Sequence, residues 1–154
     1  MKQQELWSIG QIEEGGTLSL CSYRQNIPLE TRSRLPKQFI VEWRFSEPLP
    51  DGLPSAAEHE QVVTFRDLIK NPLEAGGEGL LAIISTGNGY RELYFYCRDP
   101  KLLTDRFNEA VEGRELPVEL HVGSDPEWNV YSQFIAPFMK PEVKANAKQR
   151  RTKR

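Results

Sequence analysis

Arg91 and Glu92, beside a Gly-Asn-Gly turn, and Asp125 and Glu127, ahead of an aromatic-rich segment, are the residues best suited to acid/base chemistry. A guanidinium and several carboxylates form a proton-transfer site only if their two segments pack together. Each also has a structural use: an Asp ahead of a helix caps its free N–H groups, and an Arg on a strand pairs with a neighbouring strand or a helix end. The enzymatic reading therefore needs a concave pocket near Arg91, Glu92, Asp125 and Trp128, with Tyr131 one helical turn further on. A buried Trp128 beside an Asp125 that only caps its helix would remove that reading.

Other chemistries find little support. His59 falls on the charged part of a helical segment, and His121 lies between Leu120 and Val122 on a strand. Neither has Cys, Asp or Glu at metal-ligand spacing, so both read as surface or structural histidines and no metal site is expected. Cys21 and Cys97 stand in apolar, strand-like runs without a Cys-x-x-Cys pattern, which reads as reduced, buried thiols in a reducing compartment. No nucleotide or cofactor fingerprint occurs, so no cofactor and no enzymatic activity are expected.

At 154 residues with 38% hydrophobic and 27% charged side chains, the chain fits one globular domain that needs no metal or disulfide to fold. The opening Met1–Glu5 lacks the apolar run of a secretory signal, so the expected location is cytoplasmic. The net charge of −2 divides unevenly. Residues 140–154 hold seven bases against Glu142, a net +6, leaving 13 bases and 21 acids, −8, in the rest. We read residues 1–139 as a single α+β domain and 140–154 as a basic, disordered tail. Lys144, Lys148, Arg150, Arg151, Lys153 and Arg154 are its candidate contacts with RNA or an acidic partner.

The elements that must position these residues follow from periodicity. Glu5 to Ile12 and Thr17 to Arg24 read as a β-hairpin closed at Gly15-Gly16, and Gln25 to Lys37 as a polar connection. Gln38 to Phe45 alternates, with Phe39, Val41, Trp43 and Phe45 inward. After a Pro-rich loop, Ser55 and Glu58 suit a capping box for a helix over Ala56 to Ile69. Leu80 to Ser85 and Tyr90 to Cys97 form a second hairpin about Asn88-Gly89. A helix from Pro100 ends at Gly113, a strand covers Pro117 to Val122, and a short helix capped by Ser124 or Asp125 carries Trp128, Tyr131, Phe134 and Ile135. Right-handed crossovers fold the order from Gln38 to Val122 into a ferredoxin-like βαββαβ sandwich with both helices on one face.

Thr86-Gly87, Gly89-Tyr-Arg-Glu and Tyr94-Phe-Tyr, followed by Asp125-Pro-Glu-Trp-Asn-Val-Tyr131, resemble the motifs of the bacterial domain-of-unknown-function family numbered 695. The second motif is also similar to the end of the regulator of ribonuclease E activity B family. Neither resemblance implies an enzyme. The latter implies inhibition of an endoribonuclease by direct protein binding through acidic surface, although its strongly acidic segments are not evident here and the basic tail departs from it.

RNA association is the competing expectation, because ferredoxin-like sheets can offer aromatic residues to bases. Gly89, Tyr90, Leu93 and Phe95 match an RNA-recognition strand, but Glu92 takes a stacking position and the −8 body opposes phosphate. The leading expectation is a regulatory or inhibitory protein that binds another protein, without a membrane or small-molecule cofactor.

Overall fold

The computed structural model describes residues 5–139. The six tail residues named above lie outside the described residues. A six-stranded antiparallel sheet carries the fold, with β1 (Trp7–Glu14), β2 (Thr17–Arg24), β3 (Lys37–Arg44), β4 (Gly79–Gly87), β5 (Tyr90–Cys97) and β6 (Val118–Ser124) ordered β1-β2-β4-β5-β3-β6. The last four strands in that order form the ferredoxin-like sheet, and the N-terminal hairpin extends it through the β2–β4 ladder. Both hairpins close on two residues at positive φ, Gly15-Gly16 and Asn88-Gly89, whose backbone twist matches that of the flanking strands.

Helices α2 (Ala56–Glu74) and α3 (Pro100–Ala110) cover one face. Their Val62, Phe65, Ile69, Leu73, Leu103 and Phe107 meet Phe39, Val41, Trp43, Leu93 and Phe95 from the sheet. The opposite face carries α4 (Asn129–Ile135), which closes Tyr23, Ile83, Tyr94 and Tyr96 beneath Trp128 and Tyr131. The run Leu80–Ile84 is apolar at every position because β4 is interior and buried on both faces. A bulge between Leu81 and Ile83 sends Leu81 and Ile84 to the α2 side and Ala82 and Ile83 to the α4 side. Among the described residues no helix is long and apolar enough to cross a membrane.

Three local expectations are corrected. The polar connection contains a helix, α1 (Leu29–Arg34), too short to show a period; its Arg32 lies 5.6 Å from the Trp128 ring and 5.2 Å from the Tyr131 ring. Helix α2 runs past Ile69 and through Pro72, because Leu73 is fully buried and Glu74 binds Arg24, Lys70 and the Leu81 N–H. The capping box forms only by half. Ser55 Oγ accepts from Glu58 N, but the Glu58 carboxylate turns away to accept from Trp43 Nε1 at 3.0 Å and from Ser46 N and Oγ.

Cys21 and Cys97 are buried and free. Burial pushes their thiols up to about 11 and about 12. Both are expected to resist a thiol-specific chromogenic reagent until denaturant is added, and reaction of either in the folded chain would contradict their burial. Because the folded chain holds these protons more tightly than the unfolded chain, stability is full below the ordinary thiol value of 9.0 and falls as pH rises from there toward 12. Urea midpoints measured across that range should decline.

Candidate functional site

The sheet separates the residues that an active site would have to unite. Strand alternation turns Arg91 toward α2 with Leu93 and Phe95, and Glu92 toward the α4 side with Tyr94 and Tyr96. Arg91 is therefore cut off from Asp125, Trp128 and Tyr131 by the thickness of the sheet.

Asp125, Trp128 and Tyr131 do come together, as packing and polar satisfaction. Trp128 is fully buried and stacks on Tyr96 with ring centroids 3.8 Å apart, while its indole N–H donates to the Leu35 and Arg32 carbonyls. Asp125 Oδ1 accepts from Asn129 N, and Oδ2 accepts from Val130 N and, at 2.7 Å, from the Tyr96 hydroxyl. Burial and the Asp125 carboxylate hold that hydroxyl well above its ordinary value. The Tyr96 oxygen accepts in turn from Gln38 Nε2 and Tyr131 N. Every acceptor in this cluster is occupied by the fold, so the enzymatic reading of Arg91, Glu92, Asp125 and Trp128 is withdrawn. The start of α4 is also corrected. Trp128 takes the left-handed conformation at φ 57° and ends a turn begun at Asp125, so the helix starts at Asn129 with Asp125 capping it from four residues upstream.

Of the aromatic residues considered for base stacking, Phe95 lies in the core, Tyr94 and Tyr96 are covered by Phe134 and Trp128, and Tyr90 is half-buried.

Among the described residues, the part of the α4 side beyond that cluster carries a row of acids. The strand registers place Glu42 directly opposite Glu92 on one flank and Glu119 on the other, with Ser85 continuing the row beyond Glu92. Three carboxylates thus lie side by side across β5, β3 and β6. Tyr94 donates to Glu92 at 2.9 Å, and Arg44 to Glu42 at 3.0 Å. His121 Nε2 stands 3.2 Å from Glu42 and 3.7 Å from Glu119. The expectation that no Cys, Asp or Glu stands at metal-ligand spacing is thereby corrected for His121. Glu119 precedes His121 by two residues on the same strand face, and Glu42 arrives from β3; the three offer ligand atoms within 4.8 Å of one another. The i, i+2 spacing was visible in the sequence, but the contribution of Glu42 was not. His59 is exposed on α2.

Two clefts open on the helical face. One, of about 740 Å³, runs between α2 and the segment before β6, and contains Glu58 with Trp43 and Arg114. Its one buried acid is held by three donors, which assigns Glu58 to anchoring the Ser46 loop. The other, of about 420 Å³, lies between α2 and the N-terminal hairpin.

Fold and surface together define a ferredoxin-like α+β domain, extended by a hairpin, with three carboxylates side by side on one sheet face. The chain belongs to a family of unknown function, DUF695, whose model matches residues 5–136. No curated protein matches the sequence.

Proposed function

We propose that this chain is a non-enzymatic, cytoplasmic regulatory or inhibitory protein that binds a basic segment of another protein on the acidic face formed by Glu92, Glu42 and Glu119. The single observation that carries this reading is their lateral row across three neighbouring strands. Like charges directly opposite on a sheet destabilise the pairing, by roughly 0.2–1 kcal/mol each. A Lys- or Arg-rich segment laid across the strands would offset that repulsion and form charge-assisted hydrogen bonds. The −8 charge before the tail favours the same kind of partner and would speed encounter with it. The likeness of the Asp125–Tyr131 segment to the regulator of ribonuclease E activity B family is in keeping with an inhibitor that presents acidic surface.

The test pairs binding with stability. The full chain is titrated with a Lys/Arg-rich peptide and with the same peptide carrying norleucine in place of its cations, at low and at high salt. The basic peptide should bind, and weaken as salt rises. The double variant Glu42→Gln, Glu119→Gln should bind it about tenfold more weakly, a loss of about 1.4 kcal/mol. The same variant also loses the Glu42 contacts to Arg44 and His121, so its urea midpoint is measured alongside to show that it remains folded. Equal affinity of parent and double variant would sink this reading, as would equal binding of the uncharged peptide.

A further inference from the structure

We propose that Glu42, Glu119 and His121 bind a zinc ion on the α4 side of the β3–β6 ladder, with water completing the coordination. The site shares two carboxylates with the basic-segment reading but does not depend on it, because the imidazole has no part in that reading.

The ladder builds the site. Glu42 and Glu119 stand directly opposite each other, and His121, paired with Ile40, lies on the diagonal from Glu42 on the same sheet face. Direct and diagonal neighbours of this kind are about 5 and 7–8 Å apart, within reach of side chains as long as Glu and His. Their ends do converge. His121 Nε2 stands 3.2 Å from Glu42 Oε1 and 3.7 Å from Glu119 Oε1, and one ligand atom from each of the three residues lies within 4.8 Å of the others. Zinc bonds of about 2.0–2.1 Å in a tetrahedron set neighbouring ligand atoms about 3.4 Å apart, so the three side chains already mark three of its corners. Glu119 and His121 are exposed and free to make the small adjustment that remains.

Glu42 is the fixed member. It stands on β3, an interior strand, with a side chain only 13% exposed, and Arg44 donates to its Oε2 at 3.0 Å while Oε1 faces His121. A donor on the second oxygen is the kind of outer contact that orients a metal-ligating carboxylate. Charge points the same way. Glu92 and Glu119 flank Glu42 on both sides, an unfavourable row that a bound dication offsets. The donor set selects the ion: an imidazole with two carboxylates suits zinc, whereas magnesium and calcium prefer oxygen ligands throughout. Since His121 and Glu119 belong to the edge strand β6 and Glu42 to β3, the ion would clip the edge strand to its neighbour.

The experiment frees the full chain of metal with a chelator and titrates it with zinc, cobalt(II) or magnesium chloride, reading heat of binding, Tm and the nitrogen resonances of the two histidine rings. One zinc per chain should bind, raise Tm and move the His121 ring signals while leaving those of His59 in place. Cobalt(II) should give the visible absorption of a four-coordinate site, and magnesium should bind at least about tenfold more weakly than zinc. His121→Gln and, separately, Glu119→Gln should each weaken zinc at least about tenfold, and His59→Gln should leave it unchanged. Both ligand variants alter exposed side chains, and their urea midpoints show that they fold. His121→Gln also separates the two readings, since it should lose zinc while its binding of the basic peptide decides only the peptide reading. No saturable binding at millimolar zinc, magnesium binding as tightly as zinc, unaltered zinc affinity in His121→Gln, or a zinc-induced shift at His59 in place of His121 would each overturn the proposal.

Discussion

Trp128→Ala will destabilise the chain by about 4–5 kcal/mol, enough to remove most of the stability of a domain of this size. The side chain is fully buried and fills the space between Tyr96 of β5, Tyr131 beside it on α4 and Arg32 of α1, so its loss leaves a cavity bounded by three elements. The Leu35 and Arg32 carbonyls lose their indole donor in the same step. The backbone leaves the difference unchanged. Trp128 holds φ 57°, a conformation that costs a non-glycine residue about 1–2 kcal/mol, and Ala carries the same cost. Trp128→Phe, which retains stacking but not the N–H, should cost less, about 1–2 kcal/mol. Urea titration followed by far-ultraviolet circular dichroism measures both. A loss below about 1 kcal/mol for Trp128→Ala would mean that α4 is not anchored by this residue.

Asp125→Asn should cost about 2–4 kcal/mol, although it changes neither size nor shape appreciably. The carboxylate receives three donors, from Asn129 N, Val130 N and the Tyr96 hydroxyl. An amide has only one oxygen. If that oxygen faces Val130 and Tyr96, its NH₂ faces the Asn129 N–H; if it faces Asn129, its NH₂ faces two donors at once. The Tyr96 hydroxyl cannot simply turn around, because its oxygen already accepts from Gln38 and Tyr131. Thermal and urea unfolding of Asp125→Asn, Tyr96→Phe and the double variant give the coupling. We expect the double variant to be less destabilised than the sum of the two, since Tyr96→Phe removes one of the conflicting donors. Strict additivity would mean that the two groups do not share the hydrogen bond described.

Both effects fall on residues that resembled an active site when read along the chain. Asp125 and Trp128 attract notice because a carboxylate and an indole three residues apart suit a site as well as a cap. Their burial separates the two readings. Glu58 teaches the converse: its place three residues after Ser55 matched a capping box, yet the carboxylate went to Trp43 and Ser46 on neighbouring segments.

The local periods were sufficient for the element types and for the topology. Alternation over Gln38–Phe45, a helical stripe after Ser55 and Asn-Gly between two β-rich runs are properties of the chain over a few residues. The right-handed crossover then leaves few arrangements for that order of elements. The end of α2 and the existence of α1 were not legible, because Leu73, Glu74 and Arg32 are held by partners from other elements.

The sequence by itself determined a ferredoxin-like α+β domain with an inward aromatic strand and an acidic body joined to a +6 segment. Only the tertiary structure decided that Glu92, Glu42 and Glu119 form one row, and that Arg91 stands on the other face with no carboxylate partner among the described residues. The reason is register. Side-chain direction has a period of two along each strand, so the lateral neighbours of a residue depend on hydrogen bonds between segments tens of residues apart, and a slip of one residue would move every one of these side chains to the opposite face.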